Sequence, residues 1–210
     1  PELARHFGEL ADRHGLALYD ALLPELDRLC GDHVAAALRA LGFEATPGRV
    51  FDAATEAARL AVVPRHARLF GRLLEMLVED GVLARRGAGF EVKSGLPAAG
   101  APSRYASLLR RFGENDGELR VLGRCGGELA RVLRGEQDPL HLLFPGGSFE
   151  EARKLYVDSP FARTYNGALV EALRAAIARL PDGARLRVLE IGAGTGGTTT
   201  YVLPALPAQR

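Results

Sequence analysis

The 210 residues are long enough for one or two domains, and a hydrophobic fraction of 47% is ample for a packed core. A balance of 27 basic against 26 acidic residues leaves a net charge of +1, which argues against a chain built to bind nucleic acid or an anionic membrane surface. No apolar run reaches spanning length and no charged-then-apolar leader opens the sequence, so it reads as a cytoplasmic protein that begins at Pro1 in the manner of an excised portion.

The dominant period along the chain is helical. Val34, Leu38 and Leu41 recur at helix spacing, with Asp32 as the expected cap and Gly42 as the expected stop. Pro64 opens a second helix that repeats Leu69, Leu73, Met76 and Leu77 on one face and ends at Gly81. Two short apolar stretches, Val82 to Ala84 and Phe90 to Val92, flank the turn RRGAG, and a helix followed by a small hairpin is the outline of a winged helix. The segment Lys93 to Ser103 is small, with Pro and Gly, and reads as a linker. Beyond it, Leu119, Leu122, Cys125, Leu129, Val132 and Leu133 predict one helix, and a short helix is expected from Ser148 to a turn at Ser159-Pro160. The last long helix carries Leu169, Leu173, Ile177 and Leu180 on its expected inner face, and PDG at Pro181 to Gly183 ends it. The two cysteines, Cys30 and Cys125, lie inside apolar helical patterns without metal-ligand spacing and read as buried, reduced thiols; no metal site is expected.

A buried strand, Leu186 to Ile191, follows and runs into Gly192, Gly194 and Gly196 at every second position. Glycines there permit positive φ and let the backbone come close to a ligand, and the helix that follows offers unpaired N–H groups. The string also satisfies G-x-G-x-x-G through Gly192, Gly194 and Gly197, so the glycines alone leave a dinucleotide turn open. Glu190, just before the first glycine, favours a turn that holds S-adenosylmethionine, whose sulfonium and amino group are cationic. A dinucleotide fold would place its ribose-binding acid about 20 residues downstream, and only 13 residues follow Gly197.

Together, VLEIGAGTGGTTTYVLPALP, LYVDSPFARTYNGALVEAL and DPLHLLFPGGS resemble the carbon-methyltransferase domain of a modular type I polyketide synthase, over most of the chain from about Leu18. The glycine turn is shared by many methyltransferases, whereas its combination with LLFPGGS and SPFARTYN is far more specific. The resemblance implies a mostly α-helical lid with a winged-helix-like segment, leading into the first β-α unit of a Rossmann-like class I (α/β) methyltransferase. It places the lid at 1–150, with the winged-helix-like part at about 30–93 and the linker at about 94–103, and the start of the core at 151–210. It implies methyl transfer from S-adenosylmethionine to the α-carbon of a β-ketoacyl chain on an acyl carrier protein, among neighbouring synthase domains. Carried over by residue, the cofactor turn is Glu190, Gly192, Ala193, Gly194, Thr195 and Gly196, with Tyr156, Tyr165 and Asn166 approaching the cofactor from the lid; packing and helix capping are the alternative roles of these last three.

The family's histidine base matches none of His6, His14, His33, His66 or His141, so no catalytic residue is expected and these residues alone are expected to be inactive. Two other readings stay open. One is a methyltransferase-like scaffold between synthase domains; the other is a winged-helix DNA reader using Arg65, Arg68, Arg72, Arg85 and Arg86.

Overall fold

The computed structural model describes residues 2–98, 100–113, 117–181 and 183–207. Of the expected linker and the expected PDG turn, Ala99 and Asp182 lie outside the described residues. The chain is mostly helical with one small sheet, and it forms two compact units, Leu23–Gly146 and a second made of Pro1–Leu22 with Gly147–Arg210. No helix among the described residues is long and apolar enough to cross a membrane.

The unit Leu23–Gly146 is built around most of helix α2 (Leu18–Leu41), strand β1 (Val50–Phe51), α3 (Ala53–Arg59), α4 (Ala67–Glu79), the hairpin β2 (Leu83–Arg86) and β3 (Gly89–Val92), and helices α5 (Ala101–Phe112), α6 (Gly117–Gly127), α7 (Leu129–Leu133) and α8 (Pro139–Leu143). Helix α2 runs straight through the expected cap. Leu22, Leu29, Val34 and Leu38 continue one buried face, and Asp32 lies mid-helix with its carboxylate 2.6 Å from Arg104 Nε. The helix does stop at Gly42, which takes φ +83° so that Phe43 N–H reaches the Leu38 carbonyl at 2.9 Å. Ala61 occupies the same kind of left-handed position after α3, at φ +58°, without glycine's freedom.

The hairpin forms where the sequence places it, with its strands one to two residues longer on the turn side, because Arg85 and Arg86 pair with Phe90 and Gly89. The two-residue β1 joins the other edge of β3, giving the antiparallel order β1-β3-β2 with Phe51 opposite Phe90. Phe70, Leu74 and Leu77 of α4 lie under this sheet, whereas Leu69, expected on the buried face, is exposed. The single helix expected over 119–133 breaks at Glu128, after the Gly126-Gly127 pair. Two consecutive glycines weaken a helix interior, and Gly126 lies against the His33 ring where a Cβ would collide. Cys30 and Cys125 are half-buried thiols rather than fully buried ones, and burial pushes Cys30 above its ordinary value.

In the other unit, α1 (Glu2–His14) packs along α10 (Pro160–Ile177), and Phe7 meets Tyr165 edge to face at 5.4 Å. Helix α9 (Glu150–Arg153) widens into a π turn at Lys154–Asp158 before α10. Ser159 caps α10 by accepting from Ala162 N–H at 3.1 Å, and Pro160 fills its first turn. The buried face of α10 is Ala162, Thr164, Asn166 and Val170; Leu169 and Leu180, expected inside, are exposed. The expected strand Leu186–Ile191 is not formed. No described residue pairs with it, and Leu189 and Ile191 are 84% and 88% exposed. An apolar segment becomes a strand only when a neighbour satisfies its backbone. Helix α11 (Gly197–Val202) follows.

Candidate functional site: the glycine turn

Three alternating glycines bend the chain between residues 191 and 197. Gly192, Gly194 and Gly196 take φ of +77°, +56° and +72°, a region that any residue with a Cβ enters only under strain. Gly196 N–H closes the turn on the Ala193 carbonyl at 2.8 Å, and the Gly196 carbonyl accepts the first bond of α11 from Thr200 at 2.9 Å. Ala193 and Thr195, between the glycines, are exposed. Glu190 is also exposed, and its carboxylate accepts a hydrogen bond from the Thr199 hydroxyl, which ties the segment before the turn to the helix after it.

Gly197 has a different role. It is buried, and a Cβ on it would stand 2.8 Å from the Tyr156 carbonyl oxygen. The third glycine of the G-x-G-x-x-G string therefore lets α11 sit directly on the π turn. Asn166 is buried beside it, donating from Nδ2 to the Tyr156 carbonyl at 3.4 Å and accepting the Thr198 hydroxyl on Oδ1 at 3.0 Å. Tyr201 donates its phenol to the Val157 carbonyl at 2.8 Å, and burial pushes that phenol above its ordinary value.

The structure thus brings Glu190, the five turn residues, Asn166 and the Tyr156 backbone into one cluster. The Tyr165 ring instead packs at a tilt against Phe161, 4.4 Å between centroids, and meets Phe7 of α1. Thr198, Thr199 and Tyr201 are the members that sequence reasoning missed; the string TTTY directly after the glycines was the available signal. Next to the turn lies a groove of about 390 Å³ whose walls include Leu169, Leu173, Val188, Leu203 and Glu190. It is apolar apart from Glu190 and the two threonines Thr198 and Thr199.

No histidine is hydrogen-bonded to this cluster among the described residues. His66 accepts from Arg65 at 3.3 Å and, with His141, belongs to the other unit, while His14 of α1 lies 3.4 Å from the Thr164 hydroxyl. Burial, with Arg163 and Arg13 nearby, holds His14 below its ordinary value. No group of three His, Cys, Asp or Glu among the described residues could hold a metal ion. Of the wing and helix cations, Arg72 is paired with Glu79 at 2.6 Å, and Arg85 is paired with Glu75 and covers the Phe90 ring at 4.5 Å. Cations already neutralised in this way offer little to a phosphate backbone.

No family model matches the chain. Its structure is similar to the solved CurJ carbon methyltransferase, with a TM-score of 0.90 and 36% identity over 98% of this chain and 55% of that one. It is similar also to the CMeT domain of the citrinin polyketide synthase, with a TM-score of 0.76 and 25% identity over 97% of this chain and 55% of that one. The chain is a relative of the carbon methyltransferase domains of polyketide synthases. The non-reducing polyketide synthase ausA of Emericella nidulans is 31% identical over 90% of this chain, which spans 8% of that synthase. The chain therefore spans about half of the solved carbon methyltransferases and a small part of the synthase, and the helical architecture with its small sheet is that of the carbon methyltransferase fold.

Proposed function

We propose that this chain supplies the lid and the cofactor turn of a polyketide-synthase carbon methyltransferase. In this reading the complete enzyme methylates the α-carbon of a β-ketoacyl chain carried by an acyl carrier protein, using S-adenosylmethionine, among neighbouring synthase domains. The observation that carries it is the left-handed run Gly192, Gly194, Gly196 that follows the exposed, Thr199-tethered Glu190. The residues fit the group. The turn is exposed and leaves its backbone without Cβ cover, and Glu190 brings a carboxylate suited to a cationic ligand.

Glu190 and residues 192–196 would hold the cofactor, whose bound sulfonium supplies the methyl group. Thr199 orients Glu190, Asn166 and the Tyr156 backbone support the turn from below, and Tyr165 contributes through the α1–α10 packing. We place the lid at 1–150 and the start of the core at 151, with one refinement: residues 1–22 pack with the carboxyl-terminal segment. A scaffold between synthase domains is the second reading.

Mass spectrometry of a β-ketoacyl carrier protein tests the proposal. The 210 residues alone are expected to add nothing. A chimera in which they replace the matching part of the CurJ carbon methyltransferase is expected to add one methyl. A folded chimera that neither binds S-adenosylmethionine nor adds a methyl contradicts the reading in favour of the scaffold.

A further inference from the structure

Three successive carbonyls of the π turn Lys154–Asp158 are each taken by a side chain rather than left to water. Leu155 accepts from the Ser159 hydroxyl at 2.8 Å, Tyr156 from Asn166 Nδ2 at 3.4 Å, and Val157 from the Tyr201 phenol at 2.8 Å. Widened helical turns of this kind recur at functional sites. Two of the three donors are coupled to α11: Tyr201 lies on it, and Asn166 receives the Thr198 hydroxyl at 3.0 Å. The Asn166 amide satisfies both of its ends only in this orientation, with oxygen toward Thr198 and nitrogen toward the carbonyl. Gly197 completes the contact by bringing the α11 backbone against Tyr156 with no side chain between them.

The geometry points to Thr198, Asn166 and Tyr201 as positioning residues that clamp α11, and with it the glycine turn, onto the π turn. Thr198 is two residues from Gly196, and Thr199 beside it holds Glu190, so a displacement of α11 moves both the left-handed backbone and the carboxylate. None of the three needs to touch a cofactor to matter. Their functional consequence rests on reading the turn as an S-adenosylmethionine site, whereas the clamp itself does not.

Hydrogen exchange on the protein and titration calorimetry on the chimera with the CurJ carbon methyltransferase separate the two. Thr198→Val keeps the shape and removes the donor, Thr198→Ser keeps the donor, and Tyr201→Phe removes only the phenolic hydroxyl. Thr198→Val and Tyr201→Phe are each expected to speed exchange of amides 192–197 about fivefold, the scale of one lost hydrogen bond. Thr198→Ser is expected to stay within about twofold of the parent, and the α1 amides to stay unchanged in all three. The dissociation constant for S-adenosylmethionine is expected to rise by the same factor in the two donor-less variants and to recover in Thr198→Ser. Unchanged exchange at 192–197 in both donor-less variants overturns the clamp. A parent chimera that takes up no S-adenosylmethionine overturns the cofactor reading, and the exchange comparison then decides the clamp by itself.

Discussion

Two apolar segments of similar strand character end up in opposite states. Strand β3, GFEV, is paired on both edges, and its Phe90 and Val92 are 2% and 0% exposed. The segment LRVLEI at 186–191 is no less apolar, yet it has no ladder partner among the described residues and turns Leu189 and Ile191 to solvent. The difference lies in the distance to a partner. β2 reaches β3 across Gly87-Ala88, so the hairpin closes a minimal loop, and β1 adds a short third edge over a cluster of buried aromatic and aliphatic residues. A parallel central strand instead depends on segments far away in the chain. Strand propensity is thus a permission that pairing has to complete.

The largest expected effect that sharpens this contrast is Phe90→Ala. Phe90 stacks on Phe51 at 5.6 Å beneath Arg85, and its truncation is expected to cost about 3–5 kcal/mol in urea unfolding followed at the hairpin unit. Next comes Glu56→Gln. The buried Glu56 carboxylate is gripped by Arg49 and, at 2.6 Å, by Arg59, and losing its charge is expected to cost about 2 kcal/mol, reduced because both arginines are partly exposed.

Acid should weaken the same unit in two steps. Burial holds the His33 imidazole below its ordinary 6.5, partly offset by Asp32, and leaves Nε2 without a hydrogen-bond partner among the described residues. As pH falls the unfolded chain takes the proton first, so stability is full above 6.5 and drops below it until the folded-state value is passed. Burial raises Glu56 but hydrogen bonds from Arg59 and Arg49 outweigh it. Its net lowering contributes stability above 4.5 that is lost as pH falls further. A melting temperature flat from pH 6.5 to below 4.5 would contradict both assignments.

Smaller still, Ala61→Gly is expected to stabilise the unit by about 1 kcal/mol by relieving the left-handed alanine. At the bottom of the scale, Leu189→Ala should change stability by less than about 0.5 kcal/mol. A loss as large as that of Phe90→Ala would show that the two segments are equally supported and would break the contrast.

What could be read from the sequence follows the same division between local and distant causes. The hairpin, the α4 period and the stop at Gly42 are local and were legible. So was the turn, because Glu190 and three alternating glycines are a pattern within a few residues. The true length of α2 was not, since Asp32 looks like a cap until Arg104, 72 residues away, is seen to pair with it. The two-residue β1 is too short to carry a period. The π turn has no propensity signal, and its donors Asn166 and Tyr201 become meaningful only when α10 and α11 are folded against it.

Titration calorimetry with S-adenosylmethionine tests the central claim most directly, on the chimera that completes the core with the CurJ carbon methyltransferase and on its Glu190→Gln, Gly194→Val and Arg86→Ala variants. Glu190→Gln removes a charge-assisted contact and Gly194→Val forces a β-branched residue to φ +56°, so each is expected to weaken binding at least about tenfold with helical circular dichroism unchanged. Arg86→Ala, in the wing, is expected to leave binding intact. If the glycine change left cofactor affinity untouched while the wing change weakened a carrier-protein or DNA complex, the turn would not be a methyl-donor site and the chain would be a binding module.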